Sequence, residues 1–576
     1  MNVFFEDELH ILKELATEFS LANPALAPLL EGEMSDPDVE RLLEAIAFQN
    51  AMLRRKLNVD FPELITKLTQ LILPHYLRPI PASTVIAFTR IDSPGNSRLI
   101  PAGTQLASAP VDGTSCRFTT TSDVEVHPLE LTDAHYSQQP GRAGHLCLSL
   151  QLRDSTLSRW KPERLSIFLN DDHATASELY LLLSSQVTRI IVTPGKGGAA
   201  LALPPECLKA AGFAEKKALM PYPPHAFPGY RLLQEYFTTP DKFLFFELSG
   251  WEHWKYRGEG SSFSISFEMS GLTSGPPRIR RESFVLNAVP AVNIFSHQAD
   301  PISIDHRASS YPVRPCGSDP AHFQVLSVDN VTGFCRETIT ERSYLPFELF
   351  APDSSREPLY HAVQARTDRQ GGFDVLLSVV FPGDIPPANA ETLSIDLTCT
   401  NGTLPENLHI GDICLPVSDL PESVSFRNIT AITPGLPPPL GPELLWKLTS
   451  HLYLNQLSLE RVEYLRSLLE LYVFPDNRSK ALVAANLKRI AGIESISITP
   501  SEQLVDGIIM KGREIRLGVR QDHFAGPGDL YLFGCVLDSF LGRYASLNTF
   551  TRLVINESMR GGSFQWPTRL GKQLLS

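Results

Sequence analysis

The sequence lacks any apolar stretch that approaches the roughly 20 residues a helix needs to cross a bilayer. Its amino terminus, MNVFFEDELHILKEL, is acidic in its first turns and lacks the basic segment that opens a signal peptide. These two absences argue against direct membrane insertion and predict a cytoplasmic protein.

The sequence has few cysteines, and its acidic residues outnumber its basic ones. The 8 cysteines are scattered and form no C-x-x-C pair, so we expect free buried thiols rather than disulfides or a metal site. The chain carries 51 Lys and Arg residues against 64 Asp and Glu residues, a net charge of −13. Because a nucleic-acid surface needs excess cations to neutralise phosphates, this balance argues against nucleic acid as a main partner.

The motifs of common enzyme classes are also absent: the chain has no G-x-x-x-x-G-K-[ST], no G-x-S-x-G and no H-E-x-x-H. His297, Asp300, Asp305 and His306 lie close together, but the alternation between them is typical of a strand and its turn. The aromatic residues at 243–256 fit either a carbohydrate platform or, more commonly, core packing. We therefore predict no enzyme activity, no cofactor, and no catalytic, cofactor-binding or metal-ligating residues.

Proline, by contrast, is abundant, with 46 residues. Because proline lacks a backbone donor and interrupts helices, this content favours short strands joined by turns. Runs of strand composition begin near residue 80 and include 84–88, 147–152, 165–169 and 263–269. Five prolines between 434 and 442 predict a stiff, extended linker.

The first 75 residues have helical periodicity instead. Apolar residues recur at helical spacing over 5–19, and a second helix is predicted to begin at 35–38, where Ser-Asp precedes a proline at the first helical position. Its apolar stripe includes Leu43, Ile46 and Leu53. Such helices either fill a small bundle within the chain or present an apolar face to another chain. On the second interpretation, these three residues are the candidate partner-interface residues.

Together these patterns predict an α+β, multidomain fold. The predicted order is an amino-terminal helical segment (1–80), a first β-rich domain with helical insertions (81–280), a second β-rich domain (281–433), the proline-rich linker (434–442) and a small carboxy-terminal α/β domain (443–576). The insertions in the first β-rich domain are a helix near 176–186 and a proline-punctuated stretch at 204–240.

Five long blocks, spread in order over nearly the whole chain, resemble one protein family. They are DPDVERLLEAIAFQNAMLRRKL (36–57), PELITKLTQLILPHYLRPIP (62–81), FPGYRLLQEYFTTPDKFLFFEL (227–248), VNIFSHQADPISIDHRASSYPVRP (292–315) and DLYLFGCVLDSFLGRYASLNTFTRL (529–553). The family is that of TssF, also called ImpG or VasA, the baseplate subunit of bacterial type VI secretion systems. Its fold resembles that of the baseplate wedge proteins of contractile tails.

The resemblance implies a structural role. Two TssF-like copies pair with one TssG to form the core of a baseplate wedge, so a second copy of this chain is an implied partner. Wedges with TssK and TssE surround the VgrG spike, and the baseplate supports assembly of the Hcp tube and the TssB–TssC sheath for contractile effector delivery. The implied location is the cytoplasm, docked at the inner membrane through the baseplate. The alternatives are a wedge protein of a phage-like contractile tail and a β-rich glycan-active enzyme.

Overall fold

The computed structural model describes residues 2–22, 37–52, 69, 73, 75–91, 97–138, 144–222, 226–270, 277–304, 308–317, 319, 322–335, 340–347, 358–366, 373–381, 391–417, 420–421, 423–439, 461–475, 478–505, 508–545 and 549–571. The chain divides into two compact units. The smaller, here called the amino-terminal unit, comprises Met1–Leu73 with Leu440–Thr449. The larger, here called the body, comprises Pro74–Pro439 with Ser450–Ser576.

The described part of the amino-terminal unit is mainly helical. It contains α1 (Asn2–Ala22) and a second helical run over 37–52. In α1, Ala16 is half-buried and Ser20 is buried, and the Ser20 hydroxyl donates to the Ala16 carbonyl at 2.9 Å. In the second run, Ala47 and Ala51 are buried. Each helix therefore buries a face on which residues recur every four positions, as the 3.6-residue period requires.

The body is built mainly of strands. Up to residue 304 they are β1 (Ser83–Arg90), β2 (Arg98–Ile100), β3 (Gln105–Val111), β4 (Thr114–Thr120), β5 (Val124–Val126), β6 (Leu129–Ser137), β7 (His145–Leu152), β8 (Leu165–Leu169), β9 (Val187–Pro194), β10 (Leu201–Leu203), β11 (Leu208–Ala210), β12 (Phe245–Leu248), β13 (Ser262–Met269), β14 (Phe284–Leu286), β15 (Ala288–Val292), β16 (Phe295–Gln298) and β17 (Ile302–Ile304). Later strands are β18 (Tyr311–Val313), β19 (Gln324–Cys335), β20 (Thr340–Pro346), β21 (Leu359–Arg366), β22 (Phe373–Val380), β23 (Glu391–Thr400), β24 (Ile413–Pro416), β25 (Val424–Asn428), β26 (Ile493–Val505), β27 (Ile508–Val519), β28 (Thr549–Glu557), β29 (Ser563–Gln565) and β30 (Arg569–Leu570). The longer helices of the body are α2 (His173–Leu181), α3 (Pro228–Thr238), α4 (Val462–Glu470), α5 (Lys480–Ala491) and α6 (Pro527–Gly542).

One sheet of the body closes on itself at one end. Its strand order is β24-β3-β4-β15-β1-β25, and the Asn428 side chain joins the two edge strands. Asn428 Oδ1 accepts from Gly411 N at 2.9 Å and Ile413 N at 3.1 Å, while its Nδ2 donates to the His409 carbonyl at 3.0 Å. The sheet surrounds an apolar core. It also unites strands from both sides of the predicted boundary at 280, because the chain leaves it after β4 and returns as β15. That boundary is therefore not a boundary between sheets.

Four further sheets complete the β-rich region among the described residues, and the smallest is the antiparallel pair β2-β5. β10-β9-β13-β7-β6 and β11-β12-β8-β14 are antiparallel sheets, and β16-β23-β19-β20-β21-β22-β18, with β17 beside β23, is the largest. Buried Asn293 connects the closed sheet to the largest one. Its Nδ2 donates to the Arg117 carbonyl (2.7 Å) and to Asn401 Oδ1 (2.8 Å), and its Oδ1 accepts from Thr400 Oγ1 at 2.7 Å. A fully bonded polar network of this kind specifies one arrangement of the two sheets.

The carboxy-terminal elements pack against the middle of the chain through α6. The strands of this carboxy-terminal region form the sheet β26-β27-β28-β29 with β30 beside β28, and β27 and β28 run parallel. Almost every residue of α6 is buried, and the helix contacts α2, α3 and β28. At Gly528, an added Cβ would lie 2.4 Å from the Ser177 backbone. Only glycine therefore permits this approach of α6 to α2.

A buried ion pair holds the start of α6. Arg489 Nε of α5 donates to Asp529 Oδ2 at 2.9 Å, and His173 Nε2 of α2 lies 2.9 Å from Asp529 Oδ1. The backbone N–H of Ala525 donates to the same carboxylate at 3.0 Å. Because the partners lie on three separate helices or turns, this one carboxylate ties segments that are distant in sequence.

The predicted linker at 434–442 is described as far as residue 439. Leu436 is buried and exchanges two backbone hydrogen bonds with Ile80, at 2.9 and 2.7 Å. Pro438 is buried as well. The described prolines thus lie along the body instead of bridging a gap, and the carboxy-terminal elements belong to the same compact unit as the β-rich region.

Replacing Asp529 with alanine should strongly destabilise the body. The change leaves the Arg489 guanidinium buried without its carboxylate, so we expect the free energy of unfolding to fall by about 3–5 kcal/mol at pH 7. Chemical denaturation monitored by circular dichroism measures this loss.

The loss should also depend on pH. Burial raises the pKa of Asp529, but the His173 hydrogen bond and the Arg489 charge outweigh burial and lower it to about 2. The unfolded value is about 3.9. The carboxylate therefore stabilises the fold above the unfolded pKa and loses this contribution as the pH falls towards the folded pKa. The difference between the two proteins should be smaller at pH 3 than at pH 7, and an equal difference would contradict the assignment.

Candidate partner-binding surface

A row of exposed apolar side chains runs along α1. Ile11, Leu15 and Phe19 follow one another at four-residue spacing, and Leu15 is 54% exposed. This spacing keeps them on one side of the helix. Exposed Glu14 and Glu18 each precede a member of the row by one position, so an acidic row lies beside the apolar one. Large apolar side chains that remain in water are typical of surfaces that another chain covers.

The second helical run carries exposed apolar side chains too. They are Leu42, Ile46, Phe48 and Met52. Together with Ile11, Leu15 and Phe19, we call these side chains the amino-terminal apolar residues. The buried side of each helix is separate from them, so they are not needed to form the packed side of that helix.

The structure separates the three predicted interface residues. Ile46 is 44% exposed and is one of the amino-terminal apolar residues. Leu43 is half-buried and lies four residues before the fully buried Ala47, on the packed side. Leu53 lies outside the described residues. The sequence stripe combined both sides of the helix, because spacings of three and four residues both satisfy helical periodicity. A role for these residues at an interface stays a prediction.

Residues considered for chemistry form no centre in the described part of the chain. His297 Nε2 lies 2.9 Å from the Cys316 carbonyl, and its ring stacks on Phe323 at 5.3 Å. Asp305 and His306 lie outside the described residues. No group of three or more His, Cys, Asp or Glu side chains that could hold a metal occurs among the residues searched, which are the described ones.

The buried charges near α3 pair with one another, although Arg231 Nη2 has no hydrogen-bond partner among the described residues. Glu235 accepts from Arg231 Nη1 at 3.2 Å, from the Leu219 backbone N–H at 2.8 Å and from Lys242 Nζ. Burial lowers the pKa of Lys242 to about 8, against the opposing effect of the Glu235 charge. The neighbouring cavity has a volume of about 40 Å³, whereas ligand pockets measure roughly 300–1,000 Å³. Hydrogen bonds to the Glu235 carboxylate therefore hold these buried side chains together.

The aromatic stretch at 243–256 is largely core. Trp251 and Trp254 are buried, and the rings of Trp160 and Trp251 lie 5.2 Å apart. The buried Arg257 guanidinium donates to the Trp254 and Trp251 carbonyls at 2.9 and 2.8 Å. Of the two interpretations of this stretch, the structure favours core packing over a carbohydrate platform. Over the described residues, no helix is long and apolar enough to cross a membrane.

Comparisons with known proteins find matches to nearly the whole chain. The sequence family described as "Type VI secretion system, TssF" matches residues 1–573. The type VI secretion system component TssF1 of Pseudomonas aeruginosa is 29% identical, over 99% of this chain and 98% of its own length. A chain in a cryo-electron-microscopy structure of a TssK-TssF-TssG baseplate subcomplex has a TM-score of 0.79 at 30% identity, covering 92% of this chain and 98% of that one. A chain of a type VI secretion baseplate complex has a TM-score of 0.62 at 25% identity, covering 99% of both.

The fold defines a multidomain α+β protein. The family match identifies its protein family: the chain belongs to the TssF family of type VI secretion systems. The resemblance found in the sequence and the predicted α+β, multidomain fold class are both confirmed.

The amino-terminal apolar residues should contribute little to the stability of the isolated chain. Leu15→Glu places a charge where the side chain already meets water, so we expect a change within about 0.5 kcal/mol. Ala47→Glu buries a charge without a partner and should cost several kcal/mol. Thermal unfolding of both variants measures the contrast. A similar loss in both would show that Leu15 packs within the chain.

Proposed function

We propose that this chain is a structural subunit of a type VI secretion baseplate and that it assembles with TssG and TssK proteins. Membership of the TssF family over residues 1–573 supports this function, as does the likeness to chains solved within a TssK-TssF-TssG subcomplex. The observation that carries the proposal is the set of amino-terminal apolar residues. These side chains are exposed in the isolated chain, and a partner protein would bury them.

The finer assembly belongs to the same proposal. Two copies of the chain pair with one TssG, and these wedges, with TssK and TssE, surround the VgrG spike. The assembled baseplate supports the Hcp tube and the TssB–TssC sheath, and it lies in the cytoplasm, docked at the inner membrane. In this role the chain turns over no substrate and requires no cofactor.

The proposed contact with TssG uses the amino-terminal apolar residues. Burying a Leu, Ile or Phe side chain that was exposed contributes about 1.5–3 kcal/mol. Six side chains of these types, two of them Phe19 and Phe48, and the side chain of Met52 therefore provide the apolar centre of the proposed interface. The acidic row of Glu14 and Glu18 lies at its rim and favours a partner surface with Lys or Arg beside its apolar residues.

Co-expression with a TssG protein encoded beside this chain tests the proposal. We expect a stable complex whose mass corresponds to two copies of this chain and one TssG. Leu15→Glu and Ile46→Glu should weaken or abolish the complex, because each places a charge in a buried apolar contact. The control is Ile410→Glu, which charges an isoleucine of the body that is more exposed (62%) than Leu15 (54%) and Ile46 (44%).

The control variant should retain the complex. A complex of unchanged mass and stability in all three variants would show that the amino-terminal apolar residues are not the contact. Absence of any complex with the unaltered chain would contradict the assembly itself.

The proposed lack of catalysis has a separate test. Elemental analysis of the purified full-length chain should find no metal at unit stoichiometry. His297→Ala should leave assembly with TssG unchanged, because the half-buried His297 ring lies in the body, against Phe323 and the Cys316 carbonyl, and not among the amino-terminal apolar residues. A stoichiometric metal that is lost in this variant would contradict the structural role.

A further inference from the structure

A small pocket lies between the end of α6 and one face of the carboxy-terminal sheet, and its volume is about 230 Å³. Leu541 and Ala545 line it from the helix side. Strands β26, β27 and β28 line the other side, and their polar members include Lys511, Arg513 and Thr551. Because pockets for drug-sized ligands measure roughly 300–1,000 Å³, this one suits a group of only a few non-hydrogen atoms.

The register of the strands places these polar side chains on one face of the sheet. Arg513 of β27 is paired with Thr551 of β28, and paired residues of neighbouring strands share a face. Lys511 and Ile515 lie two positions to either side of Arg513, so they belong to the same face. Ile515 is buried and lines the same pocket as Leu541. The face that packs against α6 therefore continues into Arg513 and Lys511.

Lys511 and Arg513 are the two cations of the pocket, and no Asp or Glu belongs to its described lining. Both side chains are exposed, and neither forms an ion pair in the described part of the chain. The residues paired with Arg513 are Pro500 and Thr551, which carry no charge. Glu502 lies opposite Lys511 in the register. The positive charge of the pocket is therefore centred on Arg513.

Neither the end of α6 nor the segment after it requires the charge of Arg513. The Tyr544 N–H donates to the Leu541 carbonyl at 3.0 Å, and the carbonyls of the two neighbouring residues accept backbone N–H groups in the same way. These carbonyls therefore need no side-chain donor. Residues 546–548, which connect this end to β28, are Ser, Leu and Asn and carry no charge. The Arg513 guanidinium is thus available to an external anion.

The Thr551 hydroxyl is a second unused donor at the same place. Thr551 is only 7% exposed, and its Oγ1 has no hydrogen-bond partner in the described chain. A buried hydroxyl without a partner costs free energy, which a bound acceptor recovers. Because Thr551 and Arg513 are paired across neighbouring strands, one acceptor group can bond to both.

The chemistry of these donors selects an anionic oxygen group. A guanidinium binds a carboxylate through two parallel N–H···O bonds, and a hydroxyl adds a third donor. The rest of the lining is largely apolar and includes Ile498, Leu541 and Phe550. A bare phosphate would leave this apolar surface without a partner, whereas a carboxylate with an attached hydrocarbon group fits both parts of the pocket.

We propose that this pocket binds a carboxylate that is joined to a small apolar group. The Arg513 guanidinium and the Thr551 hydroxyl donate to the carboxylate, Lys511 adds an attractive charge, and the apolar group lies against Ile498 and Phe550. Two sources carry this chemistry: the carboxy-terminal residue of a partner polypeptide and a free short-chain carboxylic acid. The pocket shares no residue with the proposed TssG contact, so either proposal can fail without the other.

Binding measurements with the full-length chain test the pocket. Fluorescence anisotropy uses a peptide of Gly and Ser that is labelled at its amino end and ends in Leu with a free carboxylate, and the reference is the same peptide with a carboxamide end. Calorimetry measures isocaproate, which carries the same hydrocarbon group, against its neutral amide. We expect at least one carboxylate to bind about tenfold or more tightly than its amide, because the amide has no charge to pair with Arg513. Which of the two binds identifies the source.

Arg513→Gln should weaken binding of that carboxylate by at least about tenfold, because it removes the charged fork. Thr551→Val should weaken binding too, yet it should keep or raise the thermal stability, because it removes a hydroxyl that is buried without a partner. The matched control is Arg516→Gln, which makes the same change on the opposite face of β27, where Arg516 pairs with Glu514. That control should bind as the unaltered chain does.

Three results would overturn the proposal. The first is that neither carboxylate binds more tightly than its amide. The second is an equal loss of binding in Arg513→Gln and Arg516→Gln, which would indicate a general charge effect. The third is competition in which inorganic phosphate displaces the bound carboxylate at a lower concentration than the unlabelled carboxylate does, because the pocket would then be an anion site without an apolar part.

Discussion

Burial of α6 is the constraint on which the architecture of the body depends. This helix is apolar on nearly every side, so it can be stable only where other elements surround it. The carboxy-terminal strands cover one side, and α2 and α3 from the middle of the chain cover the other. Gly528 allows the backbone of α6 to lie close to that of α2, and the Asp529 carboxylate accepts a buried hydrogen bond from the Arg489 guanidinium. Segments separated by hundreds of residues are consequently one cooperative unit.

The spatial order of strands in the body also differs from their order in the sequence. The closed sheet takes strands from widely separated parts of the chain, and buried asparagines complete it: Asn428 joins its edges and Asn293 connects it to the largest sheet. Unpaired polar groups at these positions would cost more than a lost surface contact, because they are out of reach of water. These bonded networks therefore specify one arrangement of the sheets.

The amino-terminal apolar residues belong to a different compact unit from the body. In the proposed assembly they are the nonpolar part of the contact with TssG, and the exposed Glu14 and Glu18 lie beside those of α1. Such a contact would gain its free energy mainly from the burial of apolar surface.

The sequence alone determined the family, the α+β class and most of the strands and helices. Strands such as 165–169 and the first helix, predicted over 5–19 and found at Asn2–Ala22, have local signals, namely alternation, helical spacing and turn residues, and these act within a few positions. The sequence pattern does not predict helix α3, because a proline lies at its first position and another lies just after its end. Only the tertiary structure decided that strands on both sides of residue 280 share a sheet, that Leu43 packs while Ile46 is exposed, and that Arg489 and His173 meet at Asp529. Pairing between distant strands, the choice of the packed side of a helix and the gathering of charges all depend on contacts between remote segments, which no local pattern records.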